Sequence, residues 1–207
     1  MKKIVMKSFF AIALSLVVMS CSKEEKKRGV DYAQFKTEVT MTPEQEKSYD
    51  EITKKYADLG AQNFEAAKAQ GAQMDRVALS IKNEELRAKQ SEEMSKVLDA
   101  PQMEKFNKFV DSKSRKRPRY NNELLEKIKT ELALSEDQFA MLNAANDAFE
   151  KSFFDAHDIY HGNNDLAKEY WTKFDAQRKE AVKGVFTQEQ NEKFLDLVKD
   201  QKLKERE

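Results

Sequence analysis

Leu134-Ser135-Glu136-Asp137-Gln138 is the stretch that decides the fold of this chain. An apolar residue precedes a short side chain carrying an oxygen, and a glutamine follows three residues later. In a helix start of this form the Ser oxygen accepts from a backbone N–H of the first turn. The Gln side chain reaches back to the N–H of the capping residue. The pattern occurs three more times, as Met41-Thr42-Pro43-Glu44-Gln45, Leu98-Asp99-Ala100-Pro101-Gln102 and Phe186-Thr187-Gln188-Glu189-Gln190. Thr42, Asp99, Ser135 and Thr187 are therefore predicted caps, with Gln45, Gln102, Gln138 and Gln190 as their reciprocal partners. Pro43 falls at the first helical position, where a missing N–H costs nothing. Glu44, Glu136, Asp137 and Glu189 place negative charge at the positive end of the helix dipole. Seven residues after the caps stand Tyr49, Phe106, Leu142 and Phe194, and ten after stand Ile52, Phe109, Ala145 and Leu197. Those spacings keep one apolar stripe on one helix face.

The helical pattern extends through the rest of the chain. A short segment, 32–39, precedes a long helix from Thr42 to about Ala69. Gln70-Gly71-Ala72 breaks it, and helices over roughly 74–97 and 100–113 follow. The order then repeats: 123–132, a long helix 136–160, a turn at His161-Gly162-Asn163-Asn164, then 165–185 and a last helix to about Lys204. Paired boxes lie 57 residues apart in the first half (45 to 102) and 52 apart in the second (138 to 190). The expected fold is all-α: two tandem long helical hairpins with short flanking helices, in a cradle-like or bundle packing, the halves forming a pseudo-dimer within one chain. Its 207 residues are 40% hydrophobic and 36% charged, with 5 Gly and 3 Pro, too few turn residues for a strand-rich protein.

Residues 1–21 read as an export signal. Lys2, Lys3 and Lys7 are followed by an apolar run from Phe9 to Met19 that is short for a membrane span. Cys21 comes directly after it, in Val18-Met19-Ser20-Cys21. It is the only cysteine, so an intramolecular disulfide is excluded. The segment resembles a bacterial lipobox, which implies a lipid on Cys21. Ser22-Lys23-Glu24-Glu25 resembles the signal that sends lipoproteins to the outer face of the outer membrane. The expected organisation is a signal peptide (1–21), a charged tether (22–30), a first helical unit (31–114), a basic linker (115–121) and a second unit (122–207). Without the signal the chain holds 34 basic and 37 acidic residues, a net of −3. That balance argues against nucleic-acid binding.

Four hydrophobic-[Ser/Thr/Asp]-x-x-Gln motifs on amphipathic helices behind an export signal resemble the Spy/CpxP family of bacterial envelope-stress proteins, defined by LTxxQ motifs. The family's Leu corresponds to Met41, Leu98, Leu134 and Phe186, its Thr to Thr42, Asp99, Ser135 and Thr187, and its Gln is present four times. A family protomer usually carries two copies, so this chain looks like two protomer-sized units fused. The family resemblance implies a small all-helical protein; the lipobox-like segment and the signal after it imply an outer-membrane lipoprotein of a Gram-negative bacterium, on its periplasmic or cell-surface face. It would bind non-native envelope proteins without ATP, or regulate one folded partner. Relatives that respond to zinc add a metal-binding alternative.

No enzyme site is expected, because the chain has no Gly-rich phosphate loop, nucleophile elbow or Cys pair. His157 and His161, four apart beside Asp155, Asp158 and Asp165, could ligate zinc or simply end a helix. Phe149, Phe153 and Phe174 fit a core stripe. Phe154 and Trp171 fall beside it: either they complete the core, or they are exposed as part of a client-binding patch. Arg115, Lys116, Arg117 and Arg119 form a basic run expected to be a solvated linker. Its functional alternative is capture of acidic client segments or of an anionic membrane surface.

Overall fold

The computed structural model describes residues 30–203; the expected signal peptide, Cys21 and most of the expected tether lie outside the described residues. Within them the chain is all-α. Helices run α1 (Tyr32–Glu38), α2 (Pro43–Lys68), α3 (Arg76–Met94), α4 (Ala100–Lys113), α5 (Asn122–Glu131), α6 (Glu136–Asp155), α7 (His157–Tyr160), α8 (Asn164–Lys183) and α9 (Gln188–Val198). A single 3-10 turn, Gly71–Gln73, joins α2 to α3. Gly71 and Gly162 adopt φ of 62° and 81° at the two chain reversals, a backbone region that L side chains rarely enter.

The four boxes start α2, α4, α6 and α9. In each, the cap side chain accepts from the N–H of the glutamine three residues on, and that glutamine's side chain accepts from the N–H of the cap. Packing follows from these starts. Tyr49, Phe106, Leu142 and Phe194, each seven residues after its cap, are 0–1% exposed. Phe35 and Ile128, seven residues before a cap, are completely buried, as are Met94 and Val182, five before one. Phe35, Tyr49, Met94 and Phe106 belong to one core. Ile128, Leu142, Val182 and Phe194 belong to a second. α2 packs along α3, and α6 along α8. A third cluster, built on Phe153, Ala156, Tyr160 and Ala167, fills the far end of α6 and α8.

Two helix bounds differ from the sequence-based expectation. The helix expected over 136–160 breaks at Ala156. The Phe153 carbonyl, which an unbroken helix would offer to the N–H of His157, accepts instead from the Tyr160 hydroxyl at 2.9 Å. The last helix ends at Val198 rather than near Lys204. The chain turns there, with Gln201 N–H donating to the Val198 carbonyl, and lays Leu203 against the Phe153–Tyr160 cluster.

Candidate functional site

The two boxes of each half meet side by side. Gln45 Nε2 donates to Gln102 Oε1 at 3.0 Å and Gln102 Nε2 donates to Gln45 Oε1 at 3.4 Å. Gln138 and Gln190 make the same reciprocal pair at 2.8 and 3.3 Å. Each glutamine also donates to a carbonyl just ahead of the other box: Gln45 to Val97, Gln102 to Thr40, Gln138 to Val185 and Gln190 to Leu132. With the bond from the cap N–H, all four hydrogen-bonding positions of every side-chain amide are used. The pairing joins two helix starts more than fifty residues apart, and no local pattern announces it. Removing Gln102 orphans the Asp99 N–H, the Thr40 carbonyl and one face of Gln45. Gln102→Ala is expected to cost about 2 kcal/mol. A double-mutant cycle with Gln45→Ala, followed by urea unfolding, is expected to show coupling of about 0.5–1.5 kcal/mol. Strict additivity would contradict the pairing.

The basic run departs from expectation. Arg117 and Arg119 are not solvated; their side chains are 15% and 14% exposed, and both bind Glu150 of α6, which is 1% exposed. Arg117 donates through Nε (2.6 Å) and Nη2 to the two Glu150 oxygens. Arg119 adds a bond at 3.1 Å and pairs with Asp147 at 2.7 Å. A buried carboxylate needs such partners, and Arg117 and Arg119 supply them. Lys116 remains on the surface, paired with Asp111 at 3.3 Å. Arg115 is exposed as well.

Next in sequence, Tyr120 is sewn to α6. Its N–H donates to Asn146 Oδ1 and its carbonyl accepts from Asn146 Nδ2, both at 3.0 Å. The guanidinium of Arg178, fully buried and paired with Asp175, lies 3.5 Å from the Tyr120 ring centre and 3.9 Å from that of Phe149. Burial pushes the Tyr120 hydroxyl well above its ordinary range. The segment between the halves is thus bound to the second half.

A cleft of about 820 Å³ opens between α3 and α6, with Arg117 and Arg119 at its base. Met74, Val77 and Ile81 line one wall, and Lys151, Phe154 and Asp155 the other. Ion pairs cross between the halves from Arg76 to Asp158 at 2.5 Å and from Arg117 to Glu84 at 3.3 Å. Phe154, which the sequence leaves either as core or as part of an exposed patch, is 6% exposed and belongs to the buried set, while still lining the cleft. Trp171 is half-buried, edge-on to Phe149 and Phe153 with ring centres 4.9 and 5.4 Å away, and its indole N–H is buried. Neither ring therefore stands out as a free aromatic patch.

His157 and His161 lie with ring centres 4.8 Å apart. His157 Nδ1 contacts Asp158 at 3.1 Å, and burial holds this imidazole below its ordinary range despite that carboxylate. Asp158, bonded by His157 and close to Arg76, is held low. Among the described residues no three His, Cys, Asp or Glu side chains are grouped to hold a metal ion. No helix among them is long and apolar enough to cross a membrane. A scan against protein-family models and searches of curated proteins and of solved structures found nothing that matches this chain.

Proposed function

We propose that the chain is a lipid-anchored, cofactor-free binding protein of the cell envelope, chaperone-like in the manner of the Spy/CpxP family, which holds non-native proteins without ATP. The observation that carries this reading is the cleft between α3 and α6. It is open, it mixes apolar with charged side chains, and one of its two walls, α6, starts from an LTxxQ-like box. Mixed lining suits ligands of varied sequence, because contacts of either kind can be made without one fixed geometry. Cys21 supplies the membrane anchor, and the doubled set of boxes makes one chain the counterpart of a dimer.

Residues 22–207 added in several-fold excess, without ATP, are expected to suppress the light scattering of an aggregating client. Ile81→Asp changes a residue that is 37% exposed on the cleft wall, so the fold tolerates it. It is expected to weaken the suppression several-fold. Absence of suppression by the unaltered protein would overturn the reading.

A second reading, a regulator with one folded partner, draws on a different feature. Large apolar side chains that are clearly exposed among the described residues are confined to Ile81, Met141, Ile159, Val185 and Leu195. A pull-down from envelope extract separates the two: one stoichiometric partner supports the regulator, many substoichiometric ones the chaperone.

A further inference from the structure

The two long helix pairs touch along similar lengths but are filled differently. In the second pair, residues 150–174 bury Phe153, Phe154, Ala156, Tyr160 and Ala167, with Trp171 packed against them. In the first pair, residues 57–86 contribute nothing to any of the three core clusters. That segment contains seven Ala and two Gly, and Ala67 is its one buried apolar residue among the described residues. Its larger apolar side chains, such as Leu59, Val77 and Leu86, are only half-buried. The hold between two helices grows with the apolar area they bury, so a pair joined through small and half-buried side chains is held less firmly than one joined through buried aromatic rings. Segments with few buried apolar contacts open locally at low free-energy cost.

What restrains this arm is its contact with the second half. α3 leans on α6, and no core cluster spans the two halves. Arg76 reaches Asp158, which is 79% exposed, and Glu84, 45% exposed, reaches Arg117. With the carboxylate of each pair open to solvent and its guanidinium partner partly buried, both pairs are modest in strength, and salt screens them. Their partners in the second half are fixed: Arg117 is anchored on buried Glu150, and Asp158 lies between Ala156 and Tyr160 of the third cluster.

We propose that residues 57–86 form a swinging arm that opens and closes the cleft, latched shut by Arg76–Asp158 and Glu84–Arg117. The arm moves one wall of the cleft, carrying Met74, Val77 and Ile81 away from Phe154, while α6 and α8 stay in place. This holds whether or not the cleft receives a client.

The test is amide hydrogen exchange on residues 22–207, read by mass spectrometry, in about 20 mM and about 500 mM NaCl. At low salt, amides of 57–86 are expected to be roughly tenfold less protected than those of 143–174. High salt is expected to lower protection in the arm several-fold and leave 143–174 unchanged. Arg76→Asp is expected to reproduce the high-salt pattern at low salt, and adding Asp158→Arg to restore the original protection. Equal protection of the two segments would overturn the arm. An arm indifferent to both salt and Arg76→Asp would overturn the latch.

Discussion

Glu150→Ala is expected to lower the stability of the second half by about 3–5 kcal/mol, because it leaves two partly buried guanidinium groups without their carboxylate. The side chain is 1% exposed, accepts two bonds from Arg117 and one from Arg119, and ties the inter-half segment to α6. The loss should be smaller when the orphaned charge is removed as well, so Glu150→Ala combined with Arg117→Met should recover part of it. Urea unfolding followed through Trp171, the single tryptophan, reports directly on this half, since its ring meets Phe149 one residue from Glu150. A loss below about 1 kcal/mol would mean that Glu150 is only a surface-type partner.

Phe106→Ala and Phe194→Ala form a matched pair of core deletions. Each ring is 0–1% exposed and sits seven residues after its cap, in separate clusters. Either change should cost about 3–5 kcal/mol through lost transfer energy and the cavity left behind. At roughly 4–8 °C per kcal/mol for a half of this size, the affected half should melt more than about 12 °C earlier. Because no cluster joins the halves, the two variants should melt differently. Phe106→Ala should produce an early helix loss by circular dichroism that Trp171 fluorescence does not follow. Phe194→Ala should move the fluorescence transition first. One coincident transition in both variants would mean that the halves unfold as a single cooperative block.

The helix starts are legible in the sequence because a capping box is local. Thr42 and Gln45 stand three residues apart, and the mechanism that joins them needs no knowledge of the rest of the fold. The buried stripe is legible for the same reason, since Tyr49 and Phe106 inherit their faces from the caps by helix geometry. Whatever depends on long-range pairing is not legible. Gln45 and Gln102 look like two independent caps until α2 and α4 are brought together. Arg117 and Arg119 look like solvated charges because Glu150, thirty-three positions beyond Arg117, reads in sequence as one more acid on a polar helix. The break at Ala156 escapes notice because a tyrosine hydroxyl taking over a main-chain carbonyl leaves no compositional trace. The place of Phe154 is open in the sequence because it falls beside the main stripe: α6 is covered by α8 on one side and approached by α3 on another, so its buried arc is wider than one packed neighbour would require.

The glutamine pairs have a chemical consequence. A carboxamide neither gains nor loses a proton between strongly acidic and strongly alkaline conditions, and it carries no charge for dissolved ions to shield. The knot at the base of each helix pair should therefore ignore swings in acidity and salinity that would loosen the charged clasps elsewhere in the molecule. Glutamate at any one of these four positions would set two acceptors face to face, and that indifference would be lost.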